Sequence, residues 1–216
     1  QTITSTTAVF RDPSAWYHIV LAIDTTQATA ANRAKIYVNG VQQAGFSGTP
    51  FSSSQQFWIN YTYTHRIGSR QLSSADAFSE QYMTEINFID GQALTPSSFG
   101  ETSTTTGVWI PKKFSGTYGT NGFYLKFTDT TSTSTLGTDF SGNSNTWTVN
   151  NISLTAGSTY DSMTDVPTLT SATAANYAVF NPLAKGANVT ISDGNLKYSS
   201  NSASGTNGIV SMYITT

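Results

Sequence analysis

Residues 15–41 read AWYHIVLAIDTTQATAANRAKIYVNGV, and this stretch decides the fold class. The run of apolar residues at 16–23 predicts a strand, a polar loop follows, and a second strand is predicted over Ala34–Val38. The second strand ends at Asn39-Gly40, a residue pair that tolerates positive φ and favours a tight hairpin turn. The stretch therefore predicts an antiparallel β-hairpin.

Alternation of apolar and polar side chains recurs along the rest of the chain. In residues 57–67 every second side chain falls on one face, which predicts a half-buried antiparallel strand. Further strands are predicted over residues 82–89, 123–128, 147–149, 189–198 (with a turn at Asp193-Gly194) and 209–214. Short strands with frequent turns indicate an all-β fold, an antiparallel jelly-roll β-sandwich.

Helical signals are weak by comparison. Thr95 and Pro96 fit the cap and the first position of a single helical turn over residues 95–100. Two polar, Ser/Thr-rich segments, residues 101–106 and 160–174, are interpreted as connections between elements.

The composition excludes several classes of function. Only 10% of the 216 residues are charged, against about 25% in an average domain, and the net charge of −2 gives no basic surface for nucleic acid. No apolar run approaches the roughly 18 residues of a membrane span. The absence of Cys excludes thiolate catalysis and a Cys-based zinc site. The Thr/Ser/Asn-rich, low-charge style is typical of extracellular fibres and virion proteins.

Four motifs point to a family. They are the hairpin of residues 15–41, RIGSR at 66–70, MTEINF at 83–88 followed by ALT at 93–95, and LGTDFSGNSN at 136–145. Together they resemble the concanavalin A-like lectin/glucanase superfamily in its laminin-G-like branch. The third motif is similar to the closing strand of such a jelly roll, and the fourth to the "D-x-SGNGN" turn that usually opens one. The resemblance implies a scaffold for binding and display more often than for catalysis.

The order of the motifs is unusual, because closing strands come first and an opening motif comes later. Three explanations stay open: a fragment, a circularly permuted jelly roll, or a jelly roll completed by a strand from a neighbouring copy. Residues 10–183 also resemble lectin-like modules in predicted fibre and structural proteins of aquatic tailed phages, which a SPRY-like sandwich commonly follows. We therefore divide the chain into a lectin-like sandwich (residues 1–160) and a linker with C-terminal strands (residues 161–216). The latter is either an exchange segment or the start of a second sandwich.

Catalysis is not expected. Glucanases of this superfamily carry a strand with alternating carboxylates, of the form E-x-D-x-x-E, so that one acts as nucleophile and one as acid. Here Glu80 and Glu85 are five residues apart, and on a strand they point to opposite faces about 16 Å apart along it. Glu85 is instead interpreted as a solvated sheet residue.

Metal binding has one candidate. Asp139, Asn143 and Asn145 offer oxygen ligands for Ca²⁺, although Asp and Asn side chains also bond their own turn backbone. With two His and no Cys, zinc is not expected, and His18 is interpreted as a core or edge histidine with a satisfied hydrogen bond.

Sugar binding needs an exposed aromatic ring with an amide or carboxylate beside it. Trp58 and Asn60 share one face of the predicted strand and are the candidate glycan-binding pair, while Tyr61 and Tyr63 share the other. Packing of both faces inside the sandwich is the alternative. Asn60, Asn151 and Asn188 lie in N-x-S/T sequons and are candidates for glycosylation.

The last predicted strand is apolar on both faces. Its residues Ile209, Val210, Met212 and Tyr213 are candidates for pairing with another copy of the chain.

The sequence thus predicts a non-enzymatic structural or adhesive module of an extracellular fibre or virion appendage, with other copies of itself and surface glycans as partners. The alternatives are a filament subunit joined by strand exchange and, less favoured, a glucanase relative.

Overall fold

A computed structural model describes residues 6–12, 15–44, 51–71, 75–104, 107–155, 161–162, 167, 180, 185–192 and 197–200. Within these ranges the chain is all-β, with small antiparallel sheets and almost no helix, which confirms the predicted class. The strands are β1 (Ile19–Ile23), β2 (Ala34–Val38), β3 (Val41–Gln42), β4 (Arg70–Gln71), β5 (Ala75–Asp76), β6 (Ile86–Phe88), β7 (Gly100–Thr102), β8 (Trp109–Pro111), β9 (Phe123–Leu125), β10 (Val189–Ser192) and β11 (Lys197–Ser200). They pair as β1-β2-β3, β4-β5, β6-β9, β7-β8 and β10-β11.

The N-terminal hairpin forms as the sequence predicts. β1 and β2 are antiparallel, with Ile19 opposite Val38 and Ile23 opposite Ala34. Asn39 and Gly40 have φ values of 47° and 81°, the two positive angles that a tight primed turn needs, and they lead directly into β3. β1 begins at Ile19, three residues later than predicted.

Trp109 connects this hairpin to the β7–β8 hairpin. Its indole Nε1 donates a hydrogen bond to Nδ1 of His18 at 2.9 Å. A Cβ added at Gly40 or Gly100 would lie 2.5 or 2.6 Å from indole carbons, so the ring lies against two backbones that must lack side chains. His18 therefore has the hydrogen bond that the sequence predicts, and its partial burial lowers its pKa.

The connection predicted at residues 101–106 begins later in the structure, because Glu101 and Thr102 belong to β7. Gly100–Thr102 pairs with Trp109–Pro111, and the amide of Ser103 donates to the carbonyl of Val108 at 2.8 Å. Thr is favoured in strands because its branched side chain suits a pleated surface. The Thr-rich composition of this segment therefore did not distinguish a strand from a loop. Of the second predicted connection, residues 160–174, only 161, 162 and 167 lie in the described part.

The best-packed region surrounds β9. Leu125 is 1% exposed and Tyr124 8%. The rings of Phe88 and Phe123, which are opposite each other in β6 and β9, stack at 5.3 Å, and Trp147 packs edge-on against Phe123 at 5.0 Å. Alternation did not identify this core fully, since Tyr124 and Leu125, on opposite faces, are both buried, and both strands are shorter than predicted.

Positive φ angles account for that shortening. Glu85 has φ of 53° immediately before β6, and Phe127 has φ of 57° shortly after β9, so neither residue continues a strand. Trp147 is not in a ladder, contrary to the strand predicted at 147–149. Its amide donates to the carbonyl of Gly137 at 2.9 Å instead.

Two short helical turns punctuate the strands. The 3₁₀ turn Pro96–Ser98 follows Thr95, as predicted, although the Thr95 side chain makes no capping hydrogen bond to the backbone. The α-helical turn Thr133–Leu136 was not predicted. Ser132 caps it through a reciprocal pair of hydrogen bonds with Thr135, which is a capping box built from two hydroxyls.

The strand predicted at residues 57–67 is wrong: these residues form bends and turns. Asn60 has φ of 64°, which reverses the chain in the middle of the segment. The imidazole of His65 lies across the resulting loop, with Nδ1 2.8 Å from the carbonyl oxygen of Tyr63 and Nε2 3.1 Å from that of Trp58.

The C-terminal part is described only in pieces. β10 and β11 are antiparallel, with Val189 opposite Ser200, which confirms the predicted strand pair, while the turn at Asp193-Gly194 lies outside the described residues. Residues 209–214 also lie outside them. The division at residue 160 stays a prediction. Across it, the amide of Asp161 donates to the carbonyl of Ser153 at 2.9 Å.

Candidate functional site

Three loops are joined by hydrogen bonds where β6 ends and β9 begins. They are residues 57–67, 116–122 and 139–145, and we call them the rim loops. The loop at 116–122 leads directly into β9. The loop at 139–145 begins at Asp139, which forms an isolated antiparallel β-bridge with Leu125 of β9. The end of the best-packed strand pair thus supports the three loops.

Asp90 links two of the rim loops. Its Oδ1 accepts a hydrogen bond from Nδ2 of Asn60 at 2.8 Å, and its Oδ2 accepts from the backbone N and from Nδ2 of Asn121, both at 3.1 Å. Its own amide donates to the carbonyl of Tyr118 at 2.8 Å. A Cβ at Gly119 would lie 2.4 Å from the Asp90 carbonyl oxygen, so the close approach requires glycine there.

Asp139 organises the third rim loop. Its carboxylate accepts four hydrogen bonds, each 2.8 Å long, from the amides of Tyr124, Ser141 and Asn145 and from the Ser141 hydroxyl. Burial acts to raise the pKa of Asp139, but these hydrogen bonds together lower it below its usual value, so the group stays ionised.

Two amides fasten this loop to its neighbour. Nδ2 of Asn143 donates to the carbonyls of Gly119 and Gly122 at 2.6 and 2.9 Å, and Nδ2 of Asn145 donates to those of Thr120 and Gly122 at 3.1 and 2.9 Å. The Asp and Asn side chains of the fourth motif thus bond backbone, in their own turn and in the loop beside it.

The Ca²⁺ site at Asp139, Asn143 and Asn145 stays a prediction. Both oxygens of Asp139 already accept two hydrogen bonds each, and a metal ion there would have to replace donors of the protein. The described residues contain no group of three or more His, Cys, Asp or Glu side chains placed to hold a metal.

Exposed aromatic side chains cluster on the first rim loop. Trp58 is 80% exposed, Tyr63 60% and Tyr61 56%. The ring of Tyr63 lies between the other two, with centroids 5.8 Å from Trp58 and 5.7 Å from Tyr61. We call these three residues the aromatic cluster. The sequence placed Trp58 and Tyr63 on opposite faces of a strand, and the turn at Asn60 instead brings them together.

A shallow groove lies between the other two rim loops. It has a volume of about 480 Å³ and is open to solvent. Its lining is polar and backbone-rich: Gly116, Thr117, Tyr118, Gly119, Thr120, Ser141 and Asn143. Such a surface offers hydrogen bonds to a polyhydroxylated or amide-bearing molecule, and it has no charged side chain in its lining.

Trp58 and Asn60 lie on the same loop with different side-chain partners, and their joint glycan site stays a prediction. Trp58 is in the aromatic cluster, whereas the Asn60 amide is bonded to Asp90. All three sequon asparagines, Asn60, Asn151 and Asn188, are exposed. Their glycosylation stays a prediction, and at Asn60 it would compete with the bond to Asp90.

Glu85 is bonded rather than solvated, which corrects the sequence interpretation. Its Oε2 accepts a short hydrogen bond from the Tyr124 hydroxyl. Burial of Tyr124, then this bond to Glu85 and the charge of Glu85, raise the pKa of Tyr124. A carboxylate held in this way supports the core under β6 and β9, and Glu80 has no part in the contact.

Sequence reasoning missed the residues that hold the rim loops together. Asp90 and Asn121 were recognisable as members of Asp-Gly and Asn-Gly turns, which is a signal for a turn and not for a contact 31 residues away. His65 fell on an apolar face of the predicted strand, so its role in closing the loop could not be deduced from alternation.

No protein-family model, no curated protein and no solved structure matches this chain. In the part of the chain that the structure describes, no helix is long and apolar enough to cross a membrane.

Proposed function

We propose that the protein is a non-enzymatic structural and adhesive module of an extracellular fibre or virion appendage, and that the aromatic cluster binds surface glycans. The observation that carries this proposal is the exposure of Trp58, Tyr61 and Tyr63 on one loop, whose backbone carbonyls contact His65 and whose Asn60 side chain bonds Asp90. A contiguous patch of exposed apolar side chains commonly marks a surface that contacts a partner.

The chemistry of the cluster suits a sugar. The C–H face of a pyranose is weakly polarised and packs against the negative face of an aromatic ring. The outer faces of Trp58 and Tyr61 are the ends of the cluster, since Tyr63 lies between them. The rings require little ordering on binding because the loop is already closed by His65.

Polar partners for sugar hydroxyls lie beside the cluster and on the other two rim loops. Asn60 and Asp90 are next to the cluster, and the groove adds hydroxyl, amide and backbone groups without charge. A site of this kind favours neutral glycans over polyanionic ones. Affinity at one site is expected to be modest, and strength comes from many copies on one appendage.

The test is a glycan array probed with the full chain and with Trp58→Ala and Phe78→Ala variants. Phe78 is the matched control, since it is 69% exposed and lies outside the rim loops. We expect Trp58→Ala to lose at least about tenfold in binding, because one aromatic stack contributes about 1.5 kcal/mol. Phe78→Ala should bind as the unmodified chain does.

Each arm of this experiment has a distinct meaning. Retained binding by Trp58→Ala, with loss in a Tyr118→Ala variant, would move the site to the groove and overturn the proposed role of the cluster. Repeating the array with a calcium chelator tests the Ca²⁺ prediction separately, because Trp58 packs against Tyr63, whereas Asp139, Asn143 and Asn145 bond the backbone of the other two rim loops. Turnover of a β-glucan by the purified chain would contradict the non-enzymatic assignment.

We also propose the finer fold that the four motifs imply, a laminin-G-like jelly roll of the concanavalin A-like superfamily. The support is the antiparallel pairing of β6 with β9 and the ordered turn at Asp139–Asn145, which contain the third and fourth motifs. An experimental structure of the purified chain tests it, and two packed sheets with these strands in register are the expected result.

A self-assembling filament is the second candidate function. It is favoured by the apolar side chains that the first sheet leaves in solvent, Ile19, Leu21 and Val41. In this version Ile209, Val210, Met212 and Tyr213 pair with a neighbouring copy. Electron microscopy of the native material distinguishes the filament from the adhesive module. A helical repeat of this chain alone makes assembly the primary function, and isolated particles favour display.

A further inference from the structure

The outer edge of β1 has hydrogen-bonding groups that no described residue of the chain satisfies. The amide of Asn39 donates to the carbonyl of His18, and that of Asp24 to the carbonyl of Arg33, both at 2.9 Å. Since bonding alternates along an antiparallel pair, the even-numbered residues of this stretch bond β2 and the odd-numbered ones point outward. Within the described residues, the backbone groups of Ile19, Leu21 and Ile23 accordingly have no partner.

The side chains at this edge are apolar and exposed. Cross-strand partners place seven residues on one face of the β1-β2-β3 sheet, and all are apolar: Ile19, Leu21, Ile23, Ala34, Ile36, Val38 and Val41. Ile19 is 65% and Leu21 57% exposed. On the opposite face Ala22, Lys35 and Tyr37 line a cleft with residues 93–95. On the apolar face Val38, in the central strand β2, is buried, so the exposed part of that face is its margin at β1 and β3.

Within the described residues, this edge lacks the common sequence devices that keep sheets from pairing. It has no proline, no lysine, no bulge and no charge on the apolar face between Ile19 and Ile23. A five-residue edge of this kind is a template for another strand, and the question is which strand fits it.

The sequence of the edge is complementary to itself. Residues 18–24 read HIVLAID, a pattern that is nearly symmetric about Leu21: Ile on both sides two residues away, small apolar Val and Ala between, and His and Asp at the ends. We propose that β1 pairs with β1 of a second copy about a two-fold axis at Leu21. Leu21 then lies opposite its equivalent, and Ile19 lies opposite Ile23 of the other copy.

Polar groups at the ends of the strand match in this register. His18 lies opposite Asp24 of the second copy at both ends. Because Nδ1 of His18 accepts from Trp109, its proton is on Nε2, which is a donor for a carboxylate. Asp24 is ionised, as hydrogen bonds from Thr26 and Gln27 lower its pKa. A parallel pairing or a shifted register loses these two contacts, so the partner is a second copy and not an arbitrary strand.

Single cysteines test the register in the full chain, which has none of its own. Opposed residues in this register have Cα atoms about 5.5 Å apart, within disulfide range. Leu21→Cys should therefore give a disulfide-linked dimer under mild oxidation. Ile19→Cys alone should not, because two such residues are about 13 Å apart along the strands, whereas a mixture of Ile19→Cys and Ile23→Cys should cross-link. Equal cross-linking by all single variants would overturn the proposal.

Sedimentation of uncross-linked protein provides the second readout. Leu21→Pro removes an outward N–H and keeps every bond to β2, so the hairpin should persist while self-association falls at least tenfold. Val41→Lys is the matched control, because Val41 is equally apolar and 65% exposed but lies on β3, away from this edge. A monomeric unmodified chain would overturn the proposal. If its Ile19, Leu21 and Ile23 amides were also protected from exchange, the chain's own residues, such as 209–213, would cover the edge.

Discussion

The carboxylate of Asp139 is 9% exposed and joins β9 to the turn that follows it. Asp139→Asn replaces one acceptor oxygen with a donor NH₂ that faces the amide of Asn145, so one hydrogen bond is lost and one donor is left opposite another. We expect a loss of about 2 kcal/mol in the free energy of unfolding at pH 7. Chemical denaturation followed by tryptophan fluorescence measures it.

The same substitution should be nearly silent in acid. The folded-state pKa of Asp139 lies below its usual value of 3.8, so its carboxylate stabilises the fold above pH 3.8, and that contribution is lost as the pH falls through the folded pKa. The difference between Asp139→Asn and the unmodified chain should therefore shrink below pH 3.8. Asp129→Asn is the control, since Asp129 accepts bonds only from its own turn, and a difference as large as that of Asp139→Asn would contradict our account.

Trp109 couples two hairpins as elements, because its indole fills the space that Gly40 and Gly100 leave open. A methyl group at residue 100 would occupy the position of the ring, so Gly100→Ala should displace Trp109 from His18. We expect a loss of about 2 kcal/mol in stability from overpacking. Gly91→Ala is the control: nothing lies within 4 Å of its Cβ, so only the strain of its positive φ remains.

A double-mutant cycle with Trp109→Ala shows whether the indole is the cause. If it is, Gly100→Ala costs almost nothing once the indole is gone, and the coupling energy approaches the whole cost of the single substitution. Additive effects of the two substitutions would show that Gly100 is needed for another reason, such as the geometry of β7.

Elements defined by local chemistry were predictable from the sequence, and those defined by distant contacts were not. Asn39-Gly40 specifies its turn through backbone preference alone, and the turn formed at the predicted residues. The segment 57–67 has the alternation of a strand, yet the His65 imidazole and the Asn60–Asp90 bond close it into a loop. Alternation cannot distinguish these two outcomes, because it reports polarity and contains no information on partners.

The candidate site was predictable only in part for the same reason. Trp58 was identified because an aromatic residue beside an amide is a recognisable combination. Its neighbour Tyr63 could not be identified as such from the sequence, since the two rings meet across a reversal of the chain. Asp90 joins two rim loops through partners 30 and 31 residues away, whereas its local Asp-Gly sequence signals only a turn.

At the scale of the whole molecule, the described residues include few buried apolar side chains and many exposed ones. Five apolar residues are buried (Val38, Tyr124, Leu125, Leu136 and Val189), whereas fifteen large hydrophobic side chains are exposed. Five of the exposed side chains lie on the two surfaces for which we propose partners: Trp58, Tyr61 and Tyr63 form the aromatic cluster, proposed for glycans, and Ile19 and Leu21 lie at the β1 edge, proposed for a second copy. The two surfaces involve different strands and loops, so changes to one should leave the other intact.

The proposed pairing of β1 leads to a prediction about thermal stability. If β1 pairs with a second copy, unfolding is coupled to dissociation, and Tm rises with protein concentration. For 216 residues the unfolding enthalpy is on the order of 150 kcal/mol per chain, so Tm should rise by about 2 °C for each tenfold increase in concentration. Calorimetry at chain concentrations between the micromolar and the hundred-micromolar range measures this shift in Tm. Leu21→Pro should abolish the concentration dependence and Trp58→Ala should preserve it, whereas an unmodified chain whose Tm is the same at all concentrations would contradict the paired edge.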